Sequence, residues 1–128
     1  MLPSFLQPGD RIHIVSPSGS IDSAFIDGAT KVLDSKGFYV TEGKFARGEY
    51  GRFAGTVDER IADMQEAIDS SEVKAILCSR GGYGVSQIID KIDFNLFRQR
   101  PKWLIGFSDI TILHAAINRA EIASIHGI

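Results

Sequence analysis

Short β-branched runs alternate with amphipathic helical stretches along this chain, and that alternation constrains its fold more than any other feature. Strand-like runs fall at residues 11–16, 38–41, 73–78, 103–107 and 122–125. Between them the spacing predicts helices over residues 23–36, from the cap at Thr56 to Asp69, over residues 85–90 and 95–100, and from Ile110 to Arg119. Strands separated by helices are joined by crossovers, which run the strands parallel and lay helices on both faces of the sheet. The expected fold is therefore α/β, a flavodoxin- or Rossmann-like parallel sheet of about 4–5 strands. A chain of 128 residues has room for one such core and little for a second.

Local signals support the boundaries. Gly37 stands where a C′ glycine would stop the first helix, and Phe25, Ala29, Val32 and Leu33 share one of its faces. Thr56 and Glu59 have capping-box spacing ahead of the stripe Ile61, Met64, Ala67, Ile68. Residues 42–55, with four glycines among lysines, arginines and glutamates, form a long loop of the kind that often carries function.

Composition excludes several functions. Fourteen basic and sixteen acidic residues leave a net charge of −2, so neither nucleic acid nor an anionic membrane is an expected partner. No apolar run approaches the ~18 residues of a membrane span. Residues 1–10 lack the positive segment and cleavage site of a signal peptide, which predicts a cytoplasmic protein. The single cysteine, Cys78, makes neither an intramolecular disulfide nor a thiolate cluster, and it reads as a small core residue. No histidine pair has metal-site spacing, so no metal and no cofactor is expected.

In a parallel sheet the site lies at the carboxyl ends of the strands. Three connections there stand out: residues 16–20, 79–84 and 107–111. In the last, Gly106-Phe107-Ser108-Asp109-Ile110-Thr111, a buried strand delivers Ser108 onto the first turn of a helix, the layout of a nucleophile elbow. The Asp109 N–H and the positive helix end favour an oxyanion at the same place. Ile110 stands where the usual elbow has a second glycine, and Ser108 or Asp109 serving only as an N-cap fits the local sequence as well.

Arg80-Gly81-Gly82-Tyr83-Gly84 offers backbone N–H groups to an anion or to half of an oxyanion hole. A tight turn that merely needs positive φ fits it equally. The run lacks both the Lys-Ser/Thr of a P-loop and the spacing of a dinucleotide site. His13 reads as a satisfied sheet histidine and His114 as a helix residue directed away from the strand ends. His126 follows an apolar run and is a candidate to line the site, but neither it nor His114 is assigned a catalytic role.

Four segments in order carry a specific resemblance: residues 9–19, Ala54-Gly55-Thr56-Val57-Asp58-Glu59-Arg60, the R-G-G-Y-G turn at 80–84, and residues 101–111. Together they resemble the N-terminal domain of the L,D-carboxypeptidase family, the S66 serine peptidases, which includes the microcin C immunity peptidases. The terminal Ile125-His126-Gly127 is similar to the family's His-Gly step, and Phe107 replaces a common tyrosine. The resemblance implies a nucleophile-bearing domain over residues 1–128, with Ser108 as nucleophile. The family's Glu and His partners lie in a C-terminal domain that this chain does not contain.

It also implies hydrolysis of the amide to a C-terminal D-amino acid of a murein peptide, and a homodimeric full-length protein. Gly81, Gly82 and Asp109 are the expected oxyanion donors. Arg80, Tyr83 and Ser16 are the expected substrate contacts, with Arg80 equally able to serve as a structural ion-pair partner. A microcin-type substrate within the same family, or a non-catalytic α/β ligand-binding domain, are the competing readings. Without the Glu and His the chain alone is expected to be catalytically silent.

Overall fold

β-Branched runs at 11–15, 39–42, 73–78, 103–106 and 125–126 pair into one sheet in the computed structural model, which describes residues 2–119 and 121–127. Met1, Ala120 and Ile128, part of the domain expected from the sequence, lie outside the described residues. The chain runs β1 (Arg11–Val15), α1 (Ser23–Ser35), β2 (Tyr39–Glu42), α2 (Val57–Asp69), β3 (Val73–Cys78), α3 (Asn95–Gln99), β4 (Trp103–Gly106), α4 (Thr111–Arg119) and β5 (Ile125–His126). All pairings are parallel, in the order β2-β1-β3-β4-β5, the flavodoxin arrangement. The chain leaves β1 and β3 toward opposite edges, so a crevice opens at their carboxyl ends.

The faces are covered unequally. α2, α3 and α4 bury Met64, Ile68, Phe97, Leu113 and Ile117 against Val15, Ile76 and Leu104. α1 alone packs the other face, setting Ile26 on Ile14 and leaving an apolar groove along Phe25, Leu77 and Phe107. The capping box is present: Thr56 N–H donates to Glu59 Oε1 (2.9 Å) and Glu59 N–H to Thr56 Oγ1 (3.2 Å).

Three elements differ from the sequence reading. Residues 85–90, expected as one short helix, form two 3₁₀ turns, Val85–Gln87 and Ile89–Lys91. The tighter turn eclipses positions three apart, which lets Val85 and Ile88 both be fully buried. The last strand starts later than expected, because Ile122 ends α4 instead: Glu121 turns to φ +62 and the Ile122 N–H donates to Ile117 O (3.3 Å). A 3₁₀ turn over Ser108–Ile110 precedes α4, so the helix begins one residue after the predicted Ile110.

Cys78 is buried at the end of β3, and burial pushes its thiol up to about 12, the behaviour of an unreactive core residue. Lys102 is also buried, its ammonium donating to Ala67 O (2.8 Å) and Ser70 O (2.6 Å) where α2 ends. Burial, then the nearby Arg100 and Lys74, lower it from 10.5 to about 8. Between about 8 and 10.5 the unfolded chain therefore binds the extra proton, and stability contributed by this group rises with pH across that window. Urea unfolding of wild type and Lys102→Met at pH 7 and pH 10 should show the wild type gaining stability relative to the variant. A constant difference would refute it. Among the described residues no helix is long and apolar enough to cross a membrane.

Candidate active site

β4 hands its chain to α4 through Ser108. Phe107 is extended (φ −145°, ψ 174°), and Ser108 then turns to φ +59°. Only Ser108 and Glu121 among the described non-glycine residues have positive φ. That conformation costs a serine on the order of 1–3 kcal/mol and throws its side chain outward. Ser108 is exposed, and its hydroxyl caps no helix N–H. Gly106 makes the turn possible: a Cβ there would stand 2.8 Å from Ile110 Cγ2 and 3.1 Å from Cys78 Cβ. Ile110, fully buried against Gly106, fills the place of the elbow's second glycine.

The glycine turn lies directly on this serine. A Cβ on Gly81 would stand 2.7 Å from Ser108 Cβ and 3.1 Å from Ser108 Oγ. Gly82 and Gly84 take φ +104° and +129°. The Gly19 N–H donates to Gly81 O (3.1 Å), joining the connection after β1 to the one after β3. The N–H groups of Gly81, Gly82 and Asp109 have no backbone acceptor among the described residues. Gly81→Ala should therefore cost about 1–3 kcal/mol by overpacking. If Ser108 is the nucleophile of the full-length protein, it should also slow labelling of Ser108 there by an active-serine probe about 100-fold, as a displacement near 1 Å does. Urea midpoints and labelling rates measure the two effects, and wild-type labelling would contradict the contact.

A buried polar set behind the serine went unrecognised in the sequence. The Asp109 carboxylate accepts from Ser18 Oγ (2.5 Å) and from the Val85 N–H (2.9 Å), tying the elbow to both neighbouring loops. Neither bond is an N-cap, so the capping alternative for Asp109 does not hold. Arg60, 2% exposed, donates to Gly55 O (3.0 Å), Pro17 O (3.2 Å), Gly84 O (3.0 Å) and Gln87 Oε1 (2.6 Å), and lies 4.5 Å over Phe53. Burial lowers its pKa while the Asp109 carboxylate opposes the shift. The signal was available: helical spacing puts Arg60 on the stripe of Met64 and Ala67, and a charge on a buried stripe must be satisfied by built-in partners.

The long loop folds back as a wall of the crevice. Ala54 N–H donates to Ser18 O and Ser20 N–H to Arg52 O (both 3.1 Å), and Phe53 bridges Gly19. At its start, buried Asp63 accepts from the Phe45 N–H (2.8 Å), and burial raises its pKa. Tyr83, half exposed, leans on Phe53 with ring centres 6.1 Å apart. Arg80 is exposed and donates to Ser20 O (2.9 Å), with no carboxylate partner among the described residues.

Ser16 is a correction. It is buried, and its hydroxyl is shared between Ala46 O (2.7 Å) and Ser79 Oγ (2.6 Å), so it fastens β1 to its neighbours instead of facing a substrate. His114 is another: buried, it bonds Gly106 O (2.9 Å) and Ser124 Oγ (2.6 Å) and so reaches the end of β4 instead of pointing away from it. His126 is exposed, 3.4 Å from Thr111 Oγ1. His13 bonds Thr41 Oγ1 (2.7 Å) within the sheet, and burial lowers its pKa. No three His, Cys, Asp or Glu side chains among the described residues gather as a metal site requires.

The chain resembles a probable murein peptide carboxypeptidase of Bacillus subtilis at 40% identity, over 98% of this chain and 40% of that protein. It is 34% identical to a murein tetrapeptide carboxypeptidase of Pseudomonas aeruginosa, over 94% of this chain and 40% of the relative. The solved structure of an MccF-like protein from Bacillus anthracis superposes with a TM-score of 0.88 at 34% identity, covering 98% of this chain and 40% of that one. The chain thus spans about two-fifths of the length of these relatives. Residues 12–127 match the LD-carboxypeptidase N-terminal domain, so the loops that meet at Ser108 are those of a member of the peptidase S66 family, to which this chain belongs.

Proposed function

We propose that the full-length protein is a serine carboxypeptidase that hydrolyses the amide between an L-centre and a C-terminal D-amino acid of murein peptides, with Ser108 as nucleophile. The observation that carries it is the exposed Ser108 at φ +59°, packed against Gly81. Ser108 Oγ attacks the scissile carbonyl while a base takes its proton. The carbonyl oxygen becomes an oxyanion held by the N–H of Asp109 and of Gly81 or Gly82. The C–N bond breaks, the D-amino acid leaves with the proton, and water then releases the acyl group from the serine. Arg80 takes the terminal carboxylate, with its guanidinium held in place by Ser20 O. Tyr83 lines the same mouth.

On this reading the base is a His and its acidic partner a Glu, neither assigned to a residue here, and residues 1–128 alone should release no D-alanine. Under the same reading the protein is a cytoplasmic homodimer.

A fluorophosphonate should label Ser108 of the full-length protein, and an L,D-tetrapeptide should yield free D-alanine. Absence of labelling favours a plain binding domain. A second reading, an immunity-type peptidase acting on an acyl-sulfamoyl nucleotide, draws on likeness to the microcin C7 self-immunity protein MccF solved with aspartyl sulfamoyl adenosine (TM-score 0.88, 26% identity). Hydrolysis of that compound in preference to the tetrapeptide would select it.

A further inference from the structure

One wall of the crevice has no part in the proposed bond-breaking. Tyr50 and Phe53 exchange N–H to O bonds (2.7 and 3.0 Å), a tight turn that sets Arg52 over the ring of Tyr83, guanidinium to centroid 5.6 Å. Tyr83 leans on Phe53, and Phe53 lies against the buried Arg60. Arg52 is thus the outermost member of a backed stack. The same residue, Ser20, fastens both rim arginines: its N–H donates to Arg52 O and its carbonyl accepts from Arg80 Nη1. Arg11 and Arg47 each meet a carboxylate, whereas Arg52 and Arg80 meet none among the described residues. A guanidinium whose face is covered by a ring still presents its in-plane N–H fork, the geometry that takes a carboxylate bidentately.

We propose that Arg52, supported by Tyr83, is an anion subsite that takes a second carboxylate of a short acidic peptide, separate from the terminal carboxylate assigned to Arg80. The inference rests on the peptidase reading of Ser108. It makes Arg52 a specificity residue: binding energy given equally to substrate and transition state changes KM and leaves kcat alone.

The test uses the full-length protein and two tetrapeptides with the same L–D scissile bond, one with a free side-chain carboxylate and one with that group amidated. Arg52→Gln should raise KM for the free acid about fivefold, the upper range for an exposed ion pair, with kcat unchanged and no effect on the amide. Tyr83→Leu should lower the ratio of the two KM values, amide over free acid, and Tyr83→Phe should keep it, because only the ring under Arg52 is needed. Lys31→Gln, on exposed α1 surface, serves as the charge control. The preference for the free acid should shrink at high salt. Calorimetry on Ser108→Ala reads the subsite without chemistry: preference for the free acid, lost on adding Arg52→Gln, supports it even where no hydrolysis occurs. Equal effects of Arg52→Gln on both peptides, or none on either, overturn it.

Discussion

Ser108→Ala in the full-length protein should abolish fluorophosphonate labelling and lower the rate of D-alanine release about 10⁴–10⁶-fold, the loss seen when a serine nucleophile is removed from an intact site. The same position makes a second, opposite prediction about stability. At φ +59° a serine side chain crowds its own backbone, and glycine does not. Ser108→Gly should therefore be inactive yet more stable by about 1 kcal/mol, whereas Ser108→Ala keeps the Cβ and should gain nothing comparable. Thermal unfolding of the three proteins, read beside labelling, separates the two claims. Activity near wild type in Ser108→Ala would remove the nucleophile. A Ser108→Gly protein less stable than Ser108→Ala would remove the strain.

The architecture was legible because hydrophobic period and strand length repeat along the chain, and alternation leaves few topologies. The strand-to-helix junction at Ser108 was legible for a related reason, a glycine-ended strand running into Ser108 and Asp109, but the local sequence fits an N-cap as well, and the elbow turn itself rests on φ +59° at Ser108. What stayed hidden depends on contacts between distant segments. Nothing local shows that Ser16 is consumed by Ala46 and Ser79, or that Ser18 and Val85 both bond the Asp109 carboxylate. Residues 85–90 were misread because apolar positions three apart satisfy a helix and a 3₁₀ turn alike, and only the depth at which Val85 and Ile88 sit decides between them. The long loop was recognised as a loop, but its folding back onto Ser18 and Ser20 rests on backbone bonds that no side-chain pattern encodes.

Arg60→Leu should destabilise the protein by about 3 kcal/mol, the largest stability loss expected of any substitution around the crevice, since it strips partners from several buried acceptors at once. Leucine fills much of the volume, so the loss reports polar satisfaction more than a cavity. Three of the four acceptors are backbone carbonyls, of Pro17, Gly55 and Gly84, one from each segment that must meet behind Ser108. Their alignment also supports Gly84 at φ +129°, where a Cβ would come within 2.5 Å of Arg60 Nη1. Arg60→Lys should recover little, because one ammonium cannot reproduce a planar fork that bonds four acceptors in different directions. Both variants should lower the melting temperature, Arg60→Leu by roughly 10 °C for a domain of this size. They should also reduce labelling of Ser108 in the full-length protein at temperatures where each remains folded, since the segments carrying Ser18 and Val85, the donors to the Asp109 carboxylate, lose their common anchor at Pro17 and Gly84. An Arg60→Leu protein that melts within a degree of wild type would show that the carbonyls find water at no cost. The buried arginine would then be a passenger in the fold, with no part in holding the site together.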